Sequence, residues 1–266
     1  MDTSDLSDTL VAVYRTASDR DITFLAAGFA YYAFVSLIPL VLLALVVGSL
    51  FNGEGAAERL ILVAGDFLPP AGEDLVVEAL TTEAGRSQAT VVALVVASWG
   101  ALKVFRGLSL AFDMIYDEVA EGTLLDEIRD GFTVILAGTG AIVLMIVIGT
   151  MLGIAADVIP FAGLLSWVTL FIGLILVFLP IYYVLPPISV TVREIFPGAI
   201  FAAVGWTVLQ VGFQIYAANA GRYAAYGAVG AVILFVTWLY FAGILILAGA
   251  VVNVVLSHPS LAEKGE

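Results

Sequence analysis

The chain has 266 residues, 62% of them hydrophobic and only 12% charged, where a soluble domain carries about 25% charged residues. Ten Lys+Arg against 23 Asp+Glu leave a net charge of −13, and there is no Cys and one His. These counts exclude disulfides, thiolate chemistry and paired-histidine metal sites, and they remove the basic face that nucleic acid requires.

In chain order, residues 1–21 carry Asp2, Asp5, Asp8, Asp19 and Asp21, unlike the basic start of a cleaved leader. Leu6, Leu10, Val13 and Ala17 share a helical face there. The segment is expected to be a cytoplasmic amphipathic helix, lying along the inner membrane surface or against the bundle. The stretches 22–53, 131–156, 158–192, 195–221 and 223–257 contain no Asp, Glu, Lys or Arg. Each exceeds the roughly 20 residues needed to cross a bilayer. A sixth, weaker apolar run ends in Lys103 and Arg106, whose side chains can snorkel to a membrane face.

The expected fold is therefore all-α, a polytopic membrane bundle of six transmembrane helices. Its spans are placed at 27–51, 89–110, 132–156, 163–185, 196–219 and 226–256, within a membrane domain of residues 22–257 followed by a cytoplasmic tail, 258–266. The external connection 52–88 is expected to hold two short helices separated by Pro69-Pro70, as packing support or as a cap. Seven basic residues fall on the N-terminal side (Arg15, Arg20, Lys103, Arg106, Arg129, Arg193, Lys264) and three opposite (Arg59, Arg86, Arg222). That bias puts both termini in the cytoplasm of a cell-membrane protein. The acidic, lysine-poor surface is the pattern expected of a halophile, here an archaeal one.

Within the spans, Gly198, Gly205 and Gly212 recur every seventh residue, and Gly149 and Gly153 form a G-x-x-x-G. Both read as close-packing faces, with a substrate groove as the alternative. Pro39 and Pro180 lie inside spans one and four and are expected to kink them. The sparse polar residues Tyr31, Tyr32, Ser36, Gln210, Gln214, Asn219 and Asn253 are candidates for a polar path or for interhelical hydrogen bonds. Gln210 and Gln214 stand one turn apart and are expected to face the bundle interior. Lys103, Arg106 and Arg193 are candidate contacts for an anionic headgroup. With carboxylates confined to loops and His258 beyond the last span, no catalytic residue, metal or cofactor is expected.

The segments AAGFAYYAFVSLIPL (26–40), FPGAIFAAVGWTVLQVGFQIY (196–216) and YGAVGAVILFVTWLYFAGILILAGAVVN (226–253) resemble, in order, the YihY/BrkB family of membrane proteins. The matching positions include Tyr226-Gly227, Trp238, Tyr240, Gly249-Ala250 and Asn253. The resemblance implies six helices with both termini cytoplasmic. It also implies a family whose members have carried the label ribonuclease BN, have been linked to serum resistance, or have been associated with moving lipids. Two positions depart from the family pattern. No Glu stands between Gly249-Ala250 and Asn253, and Asp113 replaces the usual Asn.

The leading expectation is a transporter-like protein for a lipid or other amphipathic solute, with membrane lipids as partners. A non-transporting scaffold or assembly factor, acting as a homo-oligomer or with another membrane protein, is the alternative. Ribonuclease activity is a remote third.

Overall fold

A computed structural model describes residues 3–36, 83–119, 122–154, 161–218 and 227–262. Pro39, Asn219 and most of the first span and of the 52–88 connection lie outside the described residues. All regular structure described is helical: α1 (Thr3–Asp19), α2 (Ile22–Ser36), α3 (Glu83–Tyr116), α4 (Leu124–Ile154), α5 (Ala162–Val184), α6 (Val192–Ala218), α7 (Gly227–Ser257) and the short α8 (Pro259–Ala262). Four of these, α4 to α7, are long and apolar enough to cross a membrane. The all-helical membrane fold expected from the sequence is present; the count of six spans is not reproduced among the described residues. The first expected span is described only to Ser36, as a shorter apolar helix, and α3 carries Lys103 and Arg106 in its middle.

The chain divides into two compact units. In the larger, Met1–Ala30 with Phe105–Glu266, α4 packs on α5, α5 on α6, and α6 on α7, while α1 and α8 pack on α7. Its core joins Phe112, Ile115 and Tyr116 of α3 to Phe178 and Tyr182 of α5, Ile195, Ala199, Ala202 and Ala203 of α6, and Leu247, Ala250, Val251 and Val254 of α7. α7 is the central helix: its most apolar window is 56% buried, against 11% for α4. The outward face of α4 exposes Ile135, Leu136, Ile142, Ile146 and Met151. Such a surface is stable only against lipid or another apolar partner.

Helix starts on this unit are set by short polar caps. Thr123 and Asp126 exchange hydrogen bonds, Thr123 N to Asp126 Oδ2 at 3.0 Å and Asp126 N to Thr123 Oγ1 at 3.4 Å, and so open α4. Thr191 N donates to Glu194 Oε2 at 2.7 Å and opens α6 in the same manner. α1 and α3 are each followed by an Asp in the left-handed region, Asp21 (φ 49°) and Asp117 (φ 54°). Asp adopts that region more readily than most residues.

Arg20 ties these ends together. Its guanidinium lies 3.1 Å from Asp117 and donates to the Leu261 carbonyl at 3.2 Å, so the N-terminal helix, the α3–α4 connection and α8 share one side chain. The Arg20 side chain is only 13% exposed. Arg20→Ala is expected to cost about 1–2 kcal/mol, read as a lower melting temperature in detergent. Most of that loss should be shared with Asp117→Ala in a double-mutant cycle.

In the smaller unit, Tyr31–Val104, Ser36 Oγ donates to Tyr32 O at 2.7 Å and lies 3.0 Å from Gly100 O, so α2 and α3 meet closely at Gly100. Tyr31 and Tyr32 are exposed and form an edge-to-face ring pair.

Candidate functional site

The most strongly built polar feature lies where α6 crosses α7. Pro197 has no N–H and interrupts the α6 ladder. At the next residue, Gly198 N–H donates to Asn253 Oδ1 of α7 at 2.7 Å. One turn earlier on α6, the Glu194 carbonyl accepts the hydroxyl of Ser257 at 3.3 Å. Asn253 and Ser257 stand one turn apart on α7, so one face of that helix supplies polar groups to the interrupted turn of α6.

The exchange needs the two backbones in near contact, and two glycines permit it. A Cβ at Gly198 would meet the Gly249 carbonyl and the Asn253 amide; one at Gly249 would meet Tyr182 Oη and the Gly198 carbonyl. Tyr182 of α5 closes the arrangement from the third side, donating its hydroxyl to Ile246 O at 2.9 Å. Its ring sits 6.1 Å from Phe112, which stacks on Tyr116 at 6.3 Å, and the Tyr116 ring is 6.5 Å from His258.

Three polar atoms in this region are buried and find no hydrogen-bond partner among the described residues: Tyr116 Oη, Asn253 Nδ2 and His258 Nε2. Burial pushes the Tyr116 phenol well up from its usual range, and the Glu194 carboxylate pushes it the same way, so it stays protonated. Because its hydroxyl satisfies nothing, Tyr116→Phe is expected to leave stability unchanged or raise it by up to about 1 kcal/mol. Tyr182→Phe strands the hydroxyl's bond to Ile246 O and is expected to destabilise by about 1–2 kcal/mol. Parallel thermal melts of the two variants check the contrast; equal losses would contradict it.

Above this crossing the character of α6 changes. Trp206 contacts Phe178 (5.8 Å) and Trp238 (5.2 Å) edge-to-face, and Trp238 gathers Phe213 and Phe235 around it. Gly205 lies against Leu245. From Gln210 to Tyr216 every residue of α6 is exposed, Gln210 and Gln214 included. The two amides thus stand on the outside of the larger unit rather than in its core. Small apolar neighbours fill the core side of the lower α6 turns, leaving no room there for long polar side chains.

The remaining expected positions distribute as follows. Asn253 and Ser36 are buried and bonded, in different units. Gly198 and Gly205 are at close approaches, whereas Gly149, Gly153 and Gly212 meet open space. Among the described residues none packs closely on the latter three. Lys103 stands over the Trp99 ring at 5.8 Å, Arg106 pairs with Glu127 at 2.9 Å, and Arg193 is exposed in the first turn of α6. Pro180 lies inside α5, two residues before Tyr182. Among the described residues no group of three or more His, Asp or Glu side chains is placed to hold a metal ion.

The sequence alone does not single out Tyr116, Tyr182 or Glu194 as site residues. A Tyr beside Pro180 in an otherwise apolar run was the available signal for Tyr182. Nothing local distinguishes Tyr116, whose placement depends on a long-range contact.

Comparison with known proteins gives one family. The family described as Virulence factor BrkB matches residues 13–266. A ribonuclease-like protein of Bacillus subtilis (strain 168), YfkH, is 26% identical over 251 residues, covering 87% of this chain and 88% of its own. A UPF0761 membrane protein of Pseudoalteromonas translucida is 26% identical over 258 residues, covering 93% of this chain and 85% of its own. Another, from Alkalilimnicola ehrlichii, is 29% identical over 252 residues, 89% of this chain and 55% of its own. No solved structure matches.

Proposed function

The chain belongs to the BrkB family of membrane proteins, and from that premise we propose that it is a transporter-like carrier for a lipid or other amphipathic solute. The observation that carries this reading is the contrast within α6. Its first half is locked to α7 through Gly198, Gly249 and Asn253, whereas its second half presents Gln210 and Gln214 on an exposed face. Both amides lie within a helix long and apolar enough to cross the membrane. An amide facing hydrocarbon is costly without a polar counterpart, and the headgroup of an amphipathic solute supplies one while its tails remain in the apolar surroundings. Lys103 in the smaller unit and Arg193 in the larger, both exposed, each serve in this reading as a separate contact for anionic headgroups, in a cell-membrane protein whose termini face the cytoplasm.

The test is reconstitution of the purified chain into liposomes carrying a tail-labelled fluorescent lipid, with a membrane-impermeant quencher outside. Quenching beyond the outer-leaflet fraction supports the carrier; behaviour equal to protein-free liposomes rejects it.

One observation favours the scaffold reading instead. Gly149 and Gly153 lie in open space on the least buried spanning helix, a surface suited to close approach by a partner helix or a second copy. The family has no assigned molecular function, and a metal-dependent form of the ribonuclease-like activity in YfkH's name would need a carboxylate or histidine cluster that is not found among the described residues.

A further inference from the structure

α1 carries three faces rather than two. At about 100° per residue, Val13, Thr16, Ala17 and Arg20 share one side. Thr16 is buried, Val13 and Ala17 pack against the core, and Arg20 reaches Asp117 and Leu261. Asp8, Arg15 and Asp19 occupy the opposite side and are exposed. Between them runs a flank of Leu10, Val11 and Tyr14, which are 62%, 49% and 76% exposed. A helix that only covered a protein surface would have no use for that third, apolar flank. A helix standing free in water would be destabilised by it.

The height of α1 along the bundle follows from its contacts. Ala26 and Phe29 of α2 lie against Gly243, in the middle of α7. Arg20, at the end of α1, reaches Leu261, beyond the end of α7. α1 therefore packs at the Ser257 end of that helix. The span Val232–Ser257 has 26 residues, about 39 Å of helix against a hydrocarbon core of about 30 Å. Its end must stand at or just outside the hydrocarbon boundary, and α1 with it. The chain turns at Asp21 (φ 49°) before entering α2, where Phe24 is a further exposed apolar side chain.

We propose that α1 is an interfacial helix whose Leu10–Val11–Tyr14 flank inserts into the boundary between headgroups and acyl chains, while its Val13–Thr16–Ala17 side docks on the bundle and its Asp8–Arg15–Asp19 side faces water. The partner of the flank is the lipid surface itself. An apolar edge beside a charged face is how such helices partition, and an interfacial Tyr keeps its ring in the apolar layer and its hydroxyl in the polar one. Through Arg20 the membrane surface then bears on Asp117 and Leu261, close to the His258 and Tyr116 region. The inference needs the membrane location alone and stands or falls independently of any transport.

The chain has no Cys, so single labels can be introduced without removing any. The full chain bearing a nitroxide at Leu10→Cys, Val11→Cys or Tyr14→Cys, and for comparison at Asp8→Cys, Arg15→Cys or Asp19→Cys, is reconstituted in phosphatidylcholine–phosphatidylglycerol vesicles. Power saturation then compares collision with oxygen, which concentrates in lipid, and with a water-soluble nickel chelate. The expected result is severalfold more oxygen than nickel accessibility at 10, 11 and 14, and the reverse at 8, 15 and 19. Nickel accessibility at 10, 11 and 14 would overturn the proposal, because the flank would then be in water. Exclusion of both reagents from those positions would overturn it too, since protein would cover the flank; spin–spin broadening that vanishes on dilution with unlabelled chain would identify a second copy. Labels at 8, 15 and 19 that retain the parent's melting temperature show that the labelled chain is folded.

Discussion

Gly249→Ala is expected to lower stability by about 3 kcal/mol, among the largest losses from one added methyl at the described glycines. The new Cβ would meet Tyr182 Oη and the Gly198 carbonyl together. Neither can yield cheaply. The Tyr182 hydroxyl is held by Ile246 O, and the Gly198 carbonyl is backbone in a helix whose preceding turn is already fixed by Asn253 and Ser257. Separating α6 from α7 to make room would break those bonds and open a gap beside Ala199, Ala202 and Val251. Gly198→Ala meets the Gly249 carbonyl and the Asn253 amide and is expected to be nearly as damaging. Gly149→Ala, Gly153→Ala and Gly212→Ala meet nothing within 4 Å. They are expected to be neutral, or stabilising by up to about 1 kcal/mol through helix propensity. Melting temperatures and yields of the five variants in one detergent measure the contrast, and equal behaviour of the two sets would show that the α6–α7 crossing is looser than described.

Asn253→Leu removes the acceptor for Gly198 N–H and puts a larger apolar side chain of similar branching in its place. The stranded N–H lies in a buried setting where water cannot replace the amide, so a loss of about 2–3 kcal/mol is expected. The position is also predicted to report locally: hydrogen exchange at the Gly198 amide should accelerate by far more than exchange at Ala203, one turn or more above the crossing. Ser257→Ala, which removes a longer 3.3 Å bond to Glu194 O, is expected to cost under about 1 kcal/mol. An Asn253→Leu protein as stable as the parent would mean that Gly198 N–H finds its acceptor within α6 itself.

The spanning helices were the most legible part of the fold, for a simple reason. Hydrocarbon tolerates no unpaired charge, so charge-free runs mark the spans directly. α5 (Ala162–Val184) and α7 (Gly227–Ser257) lie inside the two longest charge-free runs, 158–192 and 223–257. α4 and α6 begin earlier than the apolar runs do, because the polar caps Thr123–Asp126 and Thr191–Glu194 start each helix outside the apolar layer. Helix faces were less legible. Gly198 and Gly212 belong to the same seven-residue series, yet only the first meets a neighbour; sequence spacing places them on one face but does not say how far along that face the partner helix extends. The cost of an unpaired amide in lipid predicts Gln210 and Gln214 inside the bundle, whereas the structure has them on the exposed half of α6. Asn253 was recognised as polar and membrane-embedded, but its partner, a backbone N–H next to Pro197, is 55 residues away in the chain. Tyr116 and His258 meet only through tertiary packing, which no local pattern announces.

In the proposed carrier, the exposed Gln210–Gln214 face is the polar half of a path for an amphipathic solute. The direct test is the liposome quenching measurement repeated with Gln210→Leu, Gln214→Leu and the double variant, each first shown to melt within a few degrees of the parent. The prediction is lipid movement by the parent and a loss of tenfold or more in the double variant, with the single variants between. Lipid movement by the parent that the double variant retains in full would contradict the assignment of that face.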